Sequence, residues 1–264
     1  MKSLKTSIES IEAELLRVWR CLGLPFSQVP AEEAEVGLID PEATLLLTLV
    51  FARDSRVLTD VPAWLVRYSD LLNHGKIRSL LTLLPSGLQG RASAKMREGL
   101  FVACPPLVKK AFGIKKRPGH EAVRTIRSRA GKIRPAAALA ASCRMIHNRL
   151  YFGTGFRADL VSVIQSTAFA LRVKQVAGLI GCAESTASRI LRDLQACGFL
   201  DPHNQPREQR EPARGLFISA VSLSNLSGLA EAAQFESASL QQHAIEELDL
   251  RFDGLTRFVL ASGG

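Results

Sequence analysis

The segment that most constrains the fold of this chain is residues 174–200, KQVAGLIGCAESTASRILRDLQACGFL. Its apolar residues recur at helical spacing on both sides of a break at Gly181. Glycine adopts a positive φ angle without steric cost, which suits Gly181 to a sharp turn. Ala177 is small enough to let a second helix cross close to the first. The pattern predicts two short helices joined by a tight turn, a helix-turn-helix. The apolar positions are Val176, Ile180, Ile190, Leu191 and Leu194.

Residues 198–221 predict two short strands around a charged loop. Gly198 is suited to end the second helix, and residues 199–201 begin an extended segment. The polar loop PHNQPREQREPAR follows, and then the strand-like run GLFISAV at residues 215–221. Two strands around such a loop form a wing.

The STASRIL segment at residues 185–191 and the closing CGFL resemble the recognition helix and first wing strand of the MarR-type winged helix-turn-helix regulators of bacteria. The resemblance covers roughly residues 157–221 and implies a DNA-binding domain. One position departs from the pattern, because Ala183 stands where a capping Ser or Thr is usual. This departure affects where the second helix begins.

The outward face of the second helix carries the candidate binding residues. The major groove accepts one α-helix, and side chains near the N-terminus of that helix reach base edges. One alternative is an ordinary solvated face, and another is a protein–protein module, since winged helices also serve that purpose. The candidates are Ser185, Thr186, Ser188, Arg189 and Arg192 on the second helix, and Lys174 at the start of the first.

Positive charge is concentrated in one region of the chain. Fifteen lysines and arginines lie between Arg91 and Arg149, against two acidic residues, whereas the whole chain has a net charge of +9. If these side chains are exposed together, they form a positive surface that attracts the phosphate backbone of any DNA sequence. The alternative is a solvated linker. The candidate phosphate contacts here are Lys115, Lys116 and Arg117.

The wing loop adds three candidates by the resemblance alone. In the related regulators, wing tips lie along phosphates or in the minor groove. Glutamates alternate with the arginines here, so mutual ion pairs on a solvated loop are the competing interpretation. The arginines are Arg207, Arg210 and Arg214.

The first 90 residues predict a helical domain. Asp40 followed by Pro41 is a good helix start, since it combines a capping carboxylate with a ring already at helical φ. An apolar seam near the N-terminus either pairs with a second copy of the chain or packs on its own domain. The seam consists of Leu4, Ile8, Ile11, Leu15, Val18 and Leu22; the predicted helices cover residues 3–22, 41–52, 62–72 and 76–84.

The fold class predicted for the whole chain is mainly α. The predicted units are a helical domain at residues 1–90, a basic and partly helical connecting region at 91–150, a winged helix-turn-helix at 151–225, and a C-terminal amphipathic helix at 226–264. Within them we expect helices over residues 136–150 and 157–168.

The sequence carries none of the common catalytic, metal-binding or membrane-spanning motifs. Asp54, Asp60 and Asp70 lack a spacing that would bring two carboxylates together, and no phosphate-binding loop occurs. The five cysteines form no CxxC pair, so we expect no metal and no cofactor. The longest apolar run, residues 43–52, is too short to cross a bilayer. The sequence therefore predicts a cytoplasmic protein that is not an enzyme.

The sequence as a whole predicts a protein that binds double-stranded DNA, most simply as a homodimeric transcriptional regulator. The N-terminal helices would supply partner, effector or dimer contacts, and the sequence specifies no effector. One alternative is a nucleic-acid-modifying enzyme with an appended winged helix, which a cleft gathering carboxylates would favour. Another is an antitoxin-like or assembly adaptor, which an apolar recognition helix would favour.

Overall fold

Helices make up most of the chain in the computed structural model, which describes residues 4–26, 37–115, 117–166, 172–201 and 217–218. The predicted mainly α fold class is therefore confirmed. The α-helices of the described residues are α1 Leu4–Cys21, α2 Pro41–Phe51, α3 Ser55–Tyr68, α4 His74–Leu81, α5 Ser86–Lys95, α6 Pro106–Ala111, α7 His120–Ala130, α8 Ala136–Ser142, α9 Arg144–Phe152, α10 Phe156–Ser166, α11 Val173–Ile180 and α12 Glu184–Ala196. The described residues also form two 3-10 helices, Ser69–Leu71 and Gly99–Ala103, and two short strands, β1 Leu38–Ile39 and β2 Phe217–Ile218.

Helix α2 is buried along its whole length, as its apolar composition predicts. The Asp40 carboxylate caps it by accepting hydrogen bonds from the backbone N–H groups of Glu42 and Ala43 at 3.0 and 3.1 Å. Helix α2 packs against α1, α4 and α5. Because no face of α2 reaches water, every charged side chain on it must find its partner inside the protein.

The described part of the α1 seam packs against the chain's own core. Leu15, Val18 and Leu22 are each at most 2% exposed. These three residues therefore favour packing of the seam within the chain over pairing with a second copy. The remaining seam positions lie outside the described side chains; they are Leu4, Ile8 and Ile11.

Helices α3 and α4 begin earlier than the sequence pattern predicts, because each has a side-chain cap that the pattern did not identify. Asp54 accepts a hydrogen bond from the backbone N–H of Arg56 at 2.7 Å, and α3 consequently contains Pro62 instead of starting there. Asn73 accepts one from the backbone N–H of Lys76 at 3.0 Å, so α4 starts where the preceding helix was expected to end. The predicted starts of both helices were therefore wrong.

The helix predicted over residues 136–150 is interrupted at Cys143, which separates α8 from α9. Cys143 has extended backbone angles, with φ −137° and ψ 112°, and it forms a parallel bridge with Gly37. Strand β1 continues from Gly37 and pairs in parallel with β2, which lies in the predicted second wing strand. The prediction of one continuous helix was wrong because a distant segment pairs with its middle.

Five buried charged side chains join the N-terminal helices to α9 and α10. Arg149 on α9 donates two hydrogen bonds of 2.7 Å to Glu42 on α2, and two of 2.8 Å to Asp159 on α10. The Lys76 ammonium on α4 lies 2.6 Å from Asp159 and 2.7 Å from Asp40. None of these side chains is exposed to solvent. We call these five residues the buried ion network.

Three carboxylates face two cations in this network, so one negative charge is in excess when all five are ionised. Burial raises the pKa of Asp40 to about 7, although Lys76 acts in the opposite direction. Burial acts likewise on Asp159, but Arg149 and Lys76 outweigh it and lower the pKa of that carboxyl to about 2. Asp40 is therefore the member of the network that takes up a proton as the pH falls below neutral.

We predict that Asp40→Asn removes a pH dependence of stability. The pKa of Asp40 rises from 3.8 to about 7 on folding, so its favourable contribution is complete below pH 3.8 and is lost as the pH rises through 7. Asparagine still caps α2 but does not titrate. Urea unfolding measures the free energy of unfolding of both proteins. The value for the variant minus the value for the wild type should increase from pH 5 to pH 8, by at most about 1.4 kcal/mol per pH unit.

Groups that titrate alike in the variant and the wild type drop out when one free energy of unfolding is subtracted from the other. Asp159 contributes in the opposite sense, because its lowered pKa gives stability that is present above pH 3.8 and lost toward pH 2, which lies outside the measured range. A difference that stays constant from pH 5 to pH 8 would show that Asp40 ionises normally.

Candidate nucleic-acid interface

Helices α10, α11 and α12 pack on one another as a three-helix unit. Helix α11 buries one face through Val176, Ala177 and Ile180. Helix α12 buries the opposing face through four residues spaced three, one and three apart; they are Ala187, Ile190, Leu191 and Leu194. The apolar positions identified in the sequence are thus the ones that meet between the helices.

The turn between α11 and α12 has the geometry that the sequence predicts. Gly181 has φ 70° and ψ 40°, the left-handed conformation, and its N–H bonds to the carbonyl of Ala177. The backbone of Ala183 is extended, with φ −67° and ψ 144°, and α12 begins at the next residue. Alanine has no side-chain acceptor, so the first N–H groups of α12 lack a side-chain cap.

The outward face of α12 is polar and accessible. Ser185, Arg189 and Arg192 are exposed and spaced four and three residues apart, which places them in one stripe along the helix. Thr186 and Ser188 flank this stripe and are half-buried. We call these five residues the α12 face.

The neighbouring surface of α11 adds one cation, since Lys174 in its first turn is exposed. The exposed large hydrophobic side chains of the described residues all lie outside α12. The α12 face therefore lacks the apolar surface that the adaptor alternative requires.

A cleft of about 410 Å³ separates the start of α10 from α12. Arg157 spans it and donates a hydrogen bond of 2.8 Å to Asp193 on α12; both side chains are about half exposed. Thr186 and Arg189 also line the cleft, together with Gly155 and Phe156. The α12 face therefore continues into a concave surface that carries two arginines.

Only some of the lysines and arginines of the basic region are exposed at the surface. Lys115 and Arg117 are exposed, as are Arg124 and Arg127 on α7, which packs against α3. Arg149, by contrast, is buried in the ion network. Lys109 is buried as well and donates to the carbonyl of Val102 at 3.1 Å. The expectation that the whole region forms a positive surface was therefore wrong for these two residues, whose charges are used inside the protein.

Four of the predicted contacts lie outside the described residues. They are Lys116 in the basic region and the wing arginines Arg207, Arg210 and Arg214.

The buried ion network is the feature that the sequence reading missed. It gathers three carboxylates, yet each is fully buried and paired with Arg149 or Lys76. No substrate reaches them, so they do not form the cleft that the enzyme alternative requires. A sequence signal did exist, since Asp159 interrupts the apolar face of α10 one residue before Leu160. A charged residue at a core position needs a buried partner.

Two more buried side-chain contacts hold α10 against α9. Asn148 on α9 donates to the Ser162 hydroxyl at 2.9 Å and to the Gln165 side-chain oxygen at 3.1 Å. The first helix of the three-helix unit is thus fixed by polar contacts along its length, from Asp159 to Gln165.

Comparison with known families supports this description of the unit. Residues 158–203 match the family model described as the IclR helix-turn-helix domain. The matched residues run from α10 past the end of α12, so the predicted helix-turn-helix is confirmed. The matched domain model describes a type of winged helix-turn-helix found in transcriptional regulators, and the match supports sequence-specific DNA binding by this chain. The finer resemblance to the MarR type stays a prediction. No curated protein and no solved structure matches the chain.

Neither a candidate metal cluster nor a membrane-spanning helix occurs in the ranges that the structure describes. Within them, no group of three or more His, Cys, Asp or Glu side chains is arranged to hold a metal ion. No helix in the same ranges is both long and apolar enough to span a membrane.

We predict that Ala183→Ser stabilises the unit. The backbone of Ala183 already has the extended angles of a capping residue, so a hydroxyl there can accept from the N–H groups of the first turn of α12, which have no side-chain cap. The free energy of unfolding should rise by about 1 kcal/mol. Ala196→Ser is the matched control, because it adds the same hydroxyl at the other end of α12. Equal effects of the two substitutions would show that no cap forms at residue 183.

Proposed function

We propose that this protein is a transcriptional regulator that inserts α12 into the major groove of its DNA site. The observation that carries the proposal is the polar, accessible α12 face on a helix-turn-helix of matched family type. An α-helix with its side chains is about 10–12 Å across, and the major groove is about 12 Å wide. Helix α12 has 13 residues and a length of about 20 Å, enough to lie along several base pairs.

We assign sequence reading to Arg189 and Arg192, because guanidinium groups bind guanine in a bidentate manner. Ser185, Thr186 and Ser188 then bind base edges or phosphates through their hydroxyl groups. Arg189 lies one turn from the N-terminus of α12, the end that enters the groove deepest in this class of protein.

The remaining candidate residues bind phosphates in this proposal. Lys174 flanks the α12 face from the first turn of α11. The basic cluster at residues 115–117 extends the backbone contacts, and so do the wing arginines at residues 207, 210 and 214. Contacts of this kind fix the register of the protein on DNA and raise affinity without reading sequence.

We further propose that the protein acts as a homodimer with a wing of the MarR type. Two-fold symmetry doubles the length of the recognised site and is the usual arrangement for helix-turn-helix regulators. Leu15, Val18 and Leu22 pack inside the chain, so the dimer contact must use other residues. The N-terminal helices are then available for an effector or a partner.

We predict that Arg189→Ala lowers specific DNA binding by about 1–3 kcal/mol while leaving non-specific binding nearly unchanged. The loss arises because one bidentate base contact disappears. Fluorescence anisotropy with the selected duplex and a scrambled duplex measures both affinities.

Arg189→Lys is the matched control for that experiment. Lysine keeps the charge but not the planar fork, so it should retain non-specific affinity and lose discrimination. If Arg189→Ala preserves the wild-type ratio of specific to non-specific affinity, Arg189 reads no base.

We predict that neutralising the basic cluster by K115Q/K116Q/R117Q weakens binding to every sequence equally. Each lost phosphate contact should reduce the slope of log K against log salt concentration by about 0.9. The variant K115R/K116R/R117K keeps all three charges and should retain the wild-type slope. A neutralised variant with an unchanged slope would exclude the cluster from the DNA interface.

A further inference from the structure

The last turn of α9 exposes three consecutive large apolar side chains. Leu150 is 46% exposed, Tyr151 76% and Phe152 49%. Gly153 follows with φ 79° and ends α9, and α10 starts three residues later. We call residues 150–157 the aromatic turn. Exposed apolar residues that cluster in this way usually mark an interaction site.

The aromatic turn is continuous with the surface that binds DNA. Its last residues line the same cleft as Thr186 and Arg189 of the α12 face. Gly155, which lines the cleft, is four positions after Tyr151, so the Cα atoms of the two residues are at most about 14 Å apart. That distance is about four base pairs along a DNA duplex. A duplex docked on α12 therefore passes within reach of the exposed aromatic rings.

The charges beside the turn favour a phosphate backbone as its occupant. Arg157 and Arg189 line the two sides of one cleft. Arg157 donates a hydrogen bond to Asp193, and a guanidinium has five N–H donors, so it can bind an anion while keeping this contact. A second copy of the chain bound symmetrically on this surface would bring two more arginines into the same interface against one more carboxylate, and an excess of like charge in an interface opposes binding.

We infer that the aromatic turn is a second DNA-contact element. Arg157 binds a backbone phosphate beside the recognised site, and Tyr151 and Phe152 pack against the sugars and base edges of the flanking duplex. Apolar side chains that reach the minor groove in this way bend or widen it. The turn thereby extends the contact beyond the bases that α12 reads. The inference rests on the proposed function.

The test compares the wild type with Y151A/F152A on two duplexes. One duplex holds the selected site with about ten flanking base pairs on each side, and the other is cut back to the site alone. The variant should bind the long duplex about tenfold more weakly than the wild type, because two aromatic side chains no longer bury apolar area against the DNA, and it should bind the short duplex equally well. Leu107→Ala is the matched control, because it removes a 60% exposed side chain from α6; it should change neither affinity.

The charged half of the turn is tested by salt titration. Arg157→Gln should lower the slope of log K against log salt by about 0.9. Asp193→Asn should strengthen binding to any sequence, because it removes a carboxylate that repels phosphate at the cleft. Thermal unfolding confirms that the variants are folded, and light scattering reports their state of association.

The outcomes separate the inference from the proposed function. If the wild type does not discriminate between sequences, the proposed function fails. If it discriminates but Y151A/F152A loses nothing on the long duplex, the aromatic turn is no DNA contact. A variant that changes the state of association, and loses affinity on both duplexes alike, would identify the turn as a contact between copies and overturn the inference.

Discussion

The structure depends on the buried ion network, in which Arg149 and Lys76 bind three carboxylates from different helices. Such a network contributes little net stability compared with apolar residues of the same shape, but breaking one member leaves an unpaired buried charge and is costly, at about 3–5 kcal/mol. The main effect of the network is therefore to fix how the helices that carry its members are placed against one another. Asp159 lies on α10, the first helix of the helix-turn-helix unit, so the network fixes that unit against α2 and α4. Within the described residues, the helix-turn-helix unit is consequently held against the N-terminal helices by buried ion pairs.

This arrangement divides the charged residues of the chain into two groups. The residues of the network pair with one another away from water, and they shape the protein without contributing to its surface. Ser185, Arg189 and Arg192 on α12 have the opposite role, because they are exposed along one stripe of a helix that is anchored on its other face. A rigid helix with an accessible polar stripe is suited to reading a groove, since little conformational freedom is lost when it binds.

Much of the site was predictable from the sequence because its determinants are local. The apolar period and Gly181 define α11, α12 and the turn, and the polar residues between them give the outward face. The starts of α3 and α4 were missed because Asp54 and Asn73 were not recognised as caps. The break at Cys143 and the ion network depend on residues far apart in the chain; Glu42 and Arg149, for example, meet across 107 positions. A pattern read along one chain does not show which polar residues will meet in space.

The central claim is that the α12 face reads a particular DNA sequence. It is tested most directly by incubating the purified protein with fragmented genomic DNA, recovering the bound fragments and sequencing them. The account predicts that the recovered fragments share one short motif, enriched over the input and protected from cleavage at its centre. Fragments that share no sequence, recovered in proportion to their abundance in the input, would contradict it.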